Sequence, residues 1–327
     1  MPGAVSDMTG VTAGAARTII MAAASSDRIK RTAERVPVTR NVVSRFVAGE
    51  SHREVMEAGV GLVNSGRMIS IDHLGEDTTD EAQADATVQA YLRLIGMLGD
   101  HTESVAGSHP VEVSLKLSAL GRALPRHGEK IALENAHRIA TAAEDAGVWV
   151  TVDAEDHTTT DSTLRIVREL RADFPALGTV LQSYLHRTED DCHEFSAPGS
   201  RIRLCKGAYA EPGEVAFQRK TDVDAAYERC LRVLMNGQGY PMVASHDPAM
   251  IAAAAAMAAD AGRATDDWEH QMLYGIRSAE QLRLVGDGRR VRVYVPFGSQ
   301  WYGYFMRRLA ERPANVAFFL RALVSRG

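Results

Sequence analysis

The feature that most constrains the fold is an alternation that begins at about residue 67 and continues through the rest of the chain. A short apolar or β-branched run is followed each time by an amphipathic segment, a pattern typical of parallel βα units. Eight predicted strands recur about every 32 residues, which matches the roughly 250 residues of an eight-unit barrel. The predicted strands are Arg67–Asp72, Val111–Leu117, Trp149–Asp153, Thr179–Tyr184, Ile202–Lys206, Met242–Ser245, Glu269–Leu273 and Val291–Val295.

The segments between these strands carry helix signals. Asp80–Leu98 has apolar residues at helical spacing. Gly147 is expected to end a helix over Leu133–Ala146, and Ser162 is expected to begin another. Asp247 before Pro248 is the pattern of an N-cap followed by the first helical residue. The sequence therefore predicts an α/β chain folded as a (β/α)8 TIM barrel over residues 67–327.

Residues 1–66 do not fit the repeat. They show helical stretches around Arg28–Glu34, Thr39–Ala48 and His52–Ser65, and no strand pattern. We therefore expect an N-terminal helical arm that packs on the barrel.

Composition narrows the class of protein. The 327 residues include 37 Lys and Arg against 42 Asp and Glu, for a net charge of −5, so no global attraction to nucleic acid or anionic lipid is expected. Three cysteines without a CxxC pair favour neither a disulfide framework nor a structural zinc site. The N-terminal apolar run is short and is broken by Arg17, so we expect a cytoplasmic protein without a membrane span.

Ionisable residues fall where the predicted strands end, which is where (β/α)8 barrels place their chemistry. Lys116 lies in an otherwise apolar strand, so its ammonium is expected in the barrel mouth. Asp153 ends the next strand, with Glu155 two residues further on. Lys116 paired with Asp153 or Glu76 for packing alone is the alternative, but the joint pattern favours a site.

The run from Arg203 to Tyr209 is the most informative. Strand alternation places Arg203 and Cys205 on one face. Lys206, Gly207 and Ala208 then offer backbone amides without bulky side chains except the lysine, which suits a phosphate or a flavin ring. For Cys205 we favour an inert packed thiol.

His246 and the Arg307–Arg308 pair each leave alternatives open. His246 is interpreted as an acid/base group, a cofactor hydrogen-bond donor or a core histidine; a metal ligand is disfavoured because the first strand ends in Asp72–His73 rather than an HxH pair. Twin arginines on a helix are usually solvated, but here their neighbours are aromatic and apolar. An inward arginine needs an anion, and a substrate carboxylate fits its geometry.

Taken in order along the chain, these residues resemble the proline dehydrogenase family. The resemblance covers residue 67 to about residue 320. The matching pieces are Leu74–Glu76, Ser114–Ser118, Val152–Glu155, Leu181–Tyr184, Arg203–Tyr209, Ala244–His246, Tyr294–Gly298 and Arg307–Leu309.

The resemblance implies a distorted (β/α)8 barrel that holds FAD non-covalently at the carboxyl ends of the strands. It further implies oxidation of L-proline to Δ1-pyrroline-5-carboxylate by hydride transfer to flavin N5. Electrons would pass to a membrane quinone, so peripheral membrane contact is expected. Because no aldehyde dehydrogenase segment is present, the product would pass to a separate pyrroline-5-carboxylate dehydrogenase.

The resemblance also implies roles for individual residues. Lys116, Arg307 and Arg308 would bind the proline carboxylate. Tyr209 and Tyr294 would contact the proline ring. Asp153 and Arg203 match active-site positions, with Arg203 beside the flavin. Glu76 would pair with Arg307 as a gate. The flavin-contacting positions, besides Arg203, are Ala154, Gln182, Lys206, Gly207, Ala208, Ser245 and His246.

Three positions depart from the family pattern. Cys205 replaces a common valine, Ser245 a common threonine, and Asp247 the asparagine of bifunctional relatives. These changes bear on cofactor affinity rather than on the reaction.

Two other readings use the same residues. A Schiff-base lyase would use Lys116 or Lys206 as its amine nucleophile, activated by nearby cations. It leaves Arg307 and Arg308 without a role. A non-catalytic binding barrel is disfavoured by the density of ionisable strand ends.

Overall fold

The eight predicted strands close into one barrel in which each strand pairs in parallel with its neighbours and β8 pairs with β1. The structure, a computed structural model, describes residues 43–75, 78–99, 109 and 111–311, without the side chains of residues 307–311. The strands are β1 (Met68–His73), β2 (Val111–Leu115), β3 (Trp149–Val152), β4 (Gly178–Gln182), β5 (Arg201–Cys205), β6 (Tyr240–Ala244), β7 (Glu269–Leu273) and β8 (Val291–Phe297).

Helices follow the strands and cover the outside of the barrel. A 3₁₀ turn, His157–Thr159, precedes α4. The α-helices of the described residues are α1 (His52–Val63), α2 (Glu81–Gly99), α3 (Gly128–Asp145), α4 (Thr160–Asp173), α5 (Thr188–Phe195), α6 (Lys220–Asn236), α7 (Pro248–Asp260), α8 (Ser278–Gly286) and α9 (Trp301–Glu311).

The helix ends test the capping predictions. Gly147 follows α3 with a φ of 67°, and Asp247 caps α7 by accepting a hydrogen bond from the backbone N–H of Ala249, so both predictions are confirmed. The prediction that Ser162 begins a helix is wrong by two residues. Asp156 instead caps the 3₁₀ turn, and α4 continues from it at Thr160.

The described part of the N-terminal arm packs against the barrel in two places. Val55 and Leu62 of α1 join the main apolar core between strands and helices. Val43, Phe46 and Val47 pack on α9 in a second cluster. The stretch around Arg28–Glu34 lies outside the described residues, and the division into an arm and a barrel domain stays a prediction.

Charged side chains fill the lower barrel interior, where branched apolar residues are usual. Arg201 pairs with Glu112, and Arg292 Nε lies 2.7 Å from Glu269 Oε1, all four being fully or almost fully buried. Arg201 also lies over the ring of Trp149, 3.6 Å from its centroid. Such pairs are costly to break, because a lost partner leaves a buried charge.

Acid should destabilise the fold through two histidines, the half-buried His73 and the buried His270. Burial lowers the pKa of His73 and of His270 to about 4, against about 6.5 in an unfolded chain. Because the unfolded chain binds these protons first, the stabilising contribution is complete above about pH 6.5 and is lost as the pH falls toward about 4. Between about pH 7 and pH 5, urea denaturation should show a loss of about 2 kcal/mol per histidine in the free energy of unfolding.

The matched variant is His270→Gln, which should show a loss about 2 kcal/mol smaller than wild type over that interval. Comparing each protein with itself at two pH values removes the packing effect of the substitution. An unchanged acid sensitivity in His270→Gln would contradict this assignment.

Candidate functional site

One cavity of about 430 Å³ opens at the carboxyl ends of the strands, and it gathers the residues singled out from the sequence. Ala244, Met272 and Leu273 give it apolar walls. Twelve of the predicted site residues line it: Lys116, Asp153, Ala154, Gln182, Arg203, Lys206, Gly207, Ala208, Tyr209, Ser245, His246 and Tyr294. Glu76 and the side chains of Arg307 and Arg308 lie outside the described residues.

Lys116 is buried in the mouth as expected, but its main partner was not foreseen. Its Nζ lies 2.6 Å from Asp72 Oδ2 and 3.6 Å from Asp153 Oδ2. Asp72 is fully buried at the end of β1, beside β2 in the sheet register. The position of Asp72 near the end of β1 could be read from the sequence, but its pairing with Lys116 could not.

The Tyr294 hydroxyl connects the two carboxylates. It lies 2.7 Å from Asp72 Oδ2 and 2.7 Å from Asp153 Oδ2. Burial, and then the negative charges of Asp153 and Asp72, raise the pKa of Tyr294 well above its usual value. The hydroxyl therefore keeps its hydrogen and donates it to one carboxylate at a time.

Arg203 has a protein acceptor for each of its five N–H groups. Burial acts to lower its pKa, but the charges of Asp153 and Glu112 outweigh this and raise it. The guanidinium is thus a fixed cation beneath the cavity, and its carbon lies 5.3 Å from the ring centroid of Tyr294. The acceptors are Gln271 Oε1 for Nε (2.5 Å), Asp153 Oδ1 and Ser114 Oγ for Nη1 (2.7 and 2.8 Å), and Glu112 Oε1 and Ser70 Oγ for Nη2 (2.6 and 3.1 Å).

Lys206 is held by carboxylates at the rim. Its Nζ lies 2.5 Å from Asp224 Oδ1 and 2.8 Å from Asp247 Oδ2. Lys116 likewise lies against two carboxylates, so both lysines that the Schiff-base alternative would use are ion-paired in the structure.

Gly207 is required by its backbone and by the ring beneath it. Its φ is 113°, and a Cβ there would lie 2.4 Å from Cδ1 of Tyr184. Glycine accepts this conformation without strain, whereas other residues rarely adopt it. The ring of Tyr184 thus supports the Lys206–Ala208 turn from below.

Gly207→Ala should lower the free energy of unfolding by about 2–4 kcal/mol, because backbone strain and the clash with Tyr184 add. The control is Gly213→Ala in the same loop, where the nearest heavy atom to a Cβ is 3.7 Å away. It should change stability by less than about 0.5 kcal/mol. Urea denaturation measures both, and equal stability of the two variants would show that Tyr184 moves aside at little cost.

His246 lines the cavity while bonded to backbone. Its Nε2 accepts a hydrogen bond of 2.9 Å from the N–H of Leu273. The neutral ring therefore carries its hydrogen on Nδ1. A hydrogen bond to the backbone is what we expected of a core histidine. His246 makes this bond and also lines the cavity.

Glu155 does not join Asp153. The strand ends at Val152, so the chain turns before Glu155, whose Oε1 pairs with Arg122 Nη2 at 2.9 Å. Among the described residues, no group of three or more His, Cys, Asp or Glu side chains is arranged to hold a metal ion. Within the same residues, none of the helices has the length and apolar character that a membrane span requires.

The closed barrel and the charged cavity at its carboxyl ends define the class as a (β/α)8-barrel protein with an enzyme-like site. Residues 56–321 match the family model described as proline dehydrogenase. The chain belongs to the proline dehydrogenase family, a family of oxidoreductases.

Two curated relatives match over nearly their whole length. Proline dehydrogenase 2 of Bacillus subtilis (strain 168) is 37% identical over 289 residues, which are 88% of this chain and 92% of the relative. Proline dehydrogenase of Deinococcus radiodurans is 39% identical over 286 residues, which are 87% of this chain and 90% of the relative.

Solved structures share the fold at lower identity. Proline utilization A from Bdellovibrio bacteriovorus, inactivated by N-propargylglycine, has a TM-score of 0.78 at 24% identity, covering 94% of this chain and 39% of that one. A proline utilization A variant from Bradyrhizobium japonicum has a TM-score of 0.71 at 24% identity, covering 87% of this chain and 32% of that one. This chain therefore spans about two fifths or less of those longer proteins.

Proposed function

We propose that this protein oxidises L-proline to Δ1-pyrroline-5-carboxylate with a non-covalently held FAD, and that the cavity at the barrel mouth is the site. The observation that carries the proposal is the convergence of twelve sequence-predicted residues on one cavity of about 430 Å³. Small-molecule sites typically have volumes of roughly 300–1,000 Å³.

The residues around the cavity fit a flavin. Ala244, Met272 and Leu273 supply an apolar wall, which suits the face of an isoalloxazine ring. Polar groups that suit its edge and its chain lie around that wall, as does the turn after β5. The residues that would hold FAD are Ala154, Gln182, Arg203, Lys206, Gly207, Ala208, Ser245 and His246.

Lys116 and α9 would bind the substrate carboxylate. Tyr304 of α9 lines the same cavity as Lys116. Positions 307 and 308 follow Tyr304 by three and four residues, the spacing of one helix face. We propose that Arg307 and Arg308 complete a cationic carboxylate site there, since guanidinium groups match carboxylate geometry.

A gate would close over that site. In the proposal Glu76 pairs with Arg307 and keeps the bound substrate away from solvent. An interior without water strengthens the interactions between the carboxylate and its cations.

Once the carboxylate is fixed, positioning carries most of the chemistry. Tyr209 and Tyr294 would wall the ring of proline, and Asp153 would hold Tyr294 and Arg203 in place through the bonds described above. FAD, when bound, would supply the oxidant that accepts a hydride from the ring carbon next to nitrogen. The fixed positive charge of Arg203 beneath the cavity would favour the charge that this transfer delivers.

The electrons and the product would each pass to another molecule. We propose a quinone-type acceptor, reached by peripheral contact of a cytoplasmic protein with the membrane. A separate pyrroline-5-carboxylate dehydrogenase would take the product.

The reaction should become faster with rising pH. Proline must lose its amine proton before the C–N bond can become an imine, and no strong base faces the cavity among the described residues. We expect kcat/KM to rise by about tenfold or more between about pH 6 and pH 9. Steady-state assays with an artificial electron acceptor would measure this, and a flat profile would contradict it.

The proposed function is tested by identifying the cofactor and the product of the purified protein. Mass spectrometry of the small molecule released on denaturation should identify FAD. Incubation with L-proline and an electron acceptor should give a cyclic imine that reacts with o-aminobenzaldehyde. A protein that neither retains nor takes up FAD, or that is trapped on a carbonyl substrate by borohydride, would contradict the proposal.

A further inference from the structure

We propose that Asp72 is a positioning residue for the carboxylate site: it holds the ammonium of Lys116 and the hydroxyl of Tyr294 where the substrate meets them. Asp72 does not line the cavity, but both residues that it holds do. The inference rests on the proposed function, because it assigns Lys116 to the substrate carboxylate.

A single oxygen of Asp72 makes both short contacts. Oδ2 lies 2.6 Å from Lys116 Nζ and 2.7 Å from the Tyr294 hydroxyl. The other oxygen, Oδ1, lies 3.5 Å from the Tyr91 hydroxyl, which in turn donates to the backbone oxygen of Ser114 at 2.7 Å. The carboxylate therefore binds both cavity-lining partners through the same oxygen, Oδ2.

Asp153 is the competing carboxylate for the same lysine. Lys116 Nζ is 1 Å nearer to Asp72 than to Asp153, at 2.6 Å against 3.6 Å. Asp153 already receives hydrogen bonds from Arg203 and Ser114 on Oδ1 and contacts Tyr294 through Oδ2. Without the charge of Asp72, the ammonium would move toward Asp153, and the cation would no longer stand where the substrate carboxylate arrives.

Asp72 and Lys116 depend on each other electrostatically. Burial raises the pKa of Asp72, Lys116 opposes that rise, and Asp153 adds to it. Removing one member of a buried ion pair is costly, because it leaves the other charge without a close partner. The loss of Asp72 is such a case, because it leaves Lys116 with Asp153 as its counter-ion, at the longer distance of 3.6 Å.

The test is a double-mutant cycle with cyclopentanecarboxylate, a ring carboxylate without the reacting amine. Calorimetry would measure the binding of this probe to the oxidised holoenzyme of four proteins: the wild type, Asp72→Asn, Lys116→Met and the double variant. Asp72→Asn should weaken binding about ten- to hundredfold in the wild-type background. In the Lys116→Met background the same change should cost less than about twofold, because the ammonium is already gone and Tyr294 keeps its second contact, with Asp153 Oδ2.

Kinetics give a second readout. If Asp72 positions groups that bind the carboxylate equally in the ground and transition states, Asp72→Asn should raise KM for proline by a similar factor and leave kcat within about threefold. Asp72→Glu, which keeps the charge, should recover part of the affinity. Asp72→Ser replaces Asp72→Asn in the cycle if the asparagine variant does not fold.

The outcomes separate this inference from the proposed function. Wild type that does not bind the probe would overturn the carboxylate site and the role of Asp72 together. Wild type that binds the probe, with Asp72→Asn binding equally well, would overturn the role of Asp72 alone. Losses that add fully in the double variant would do the same, since they would show that Asp72 does not act through Lys116.

Discussion

Arg203→Lys is expected to abolish measurable proline oxidation and to destabilise the fold, even though it keeps the positive charge. Arginine offers five N–H donors and lysine three, and all five donors of Arg203 have acceptors in the barrel. The variant leaves Glu112 and Asp153 with fewer partners inside a closed barrel. We expect a loss of about 3–5 kcal/mol in the free energy of unfolding, as for other broken buried ion pairs.

Activity should fall further than stability alone explains. The planar guanidinium of Arg203 holds its positive charge at one place beside the cavity. A flexible ammonium does not reproduce that geometry. We expect kcat/KM to fall by more than about 10³-fold in the fraction of the Arg203→Lys variant that remains folded. Denaturation curves and steady-state kinetics on the same preparation measure both effects.

The control for this variant is Arg229→Lys. Arg229 pairs with Glu189 at 2.9 Å on an exposed surface. The substitution should change stability by less than about 0.5 kcal/mol and leave kcat/KM unchanged. An Arg203→Lys variant that is within about 1 kcal/mol of wild type would refute the five-donor account.

Arg307→Met and Arg308→Met are each expected to keep bound FAD and to lose most of the proline oxidation activity. The helix that carries these residues is fixed at its start, because Phe46 packs on Phe305 with ring centroids 6.2 Å apart. Tyr304 brings the same helix to the cavity. Removing one guanidinium from the proposed carboxylate site should lower kcat/KM by about 10²–10³-fold.

The control here is Arg165→Met, an exposed arginine on α4 that pairs with Glu129. It removes the same kind of side chain from an exposed position outside the cavity lining, and it should leave both cofactor content and kcat/KM unchanged. Cofactor content comes from the visible spectrum, and kcat/KM from steady-state assays. Wild-type kinetics in both Arg307→Met and Arg308→Met would overturn the carboxylate assignment.

The fold was predictable because its signal is periodic. The alternation of apolar runs and helical spacing predicted eight strands, and Glu269–Leu273 is matched to the residue by β7. Strand and helix ends were less accurate where a local bond shifts them. The Asp156 cap that starts a 3₁₀ turn before α4 is one example.

The site was predictable as a set of residues but not as a set of partners. Position at a strand end is a property of sequence, so Lys116, Asp153 and Arg203 could be placed in the mouth. Which acceptor lies nearest is a property of barrel register, which sets Asp72 beside Ser114 of β2. For that reason Asp72 was missed.

An anaerobic spectrum tests most directly the proposal that these residues form one site for FAD and proline. The purified protein should absorb at about 450 nm, and L-proline added without oxygen should bleach that band by reducing the flavin. A bound flavin whose band survives saturating L-proline would contradict the account.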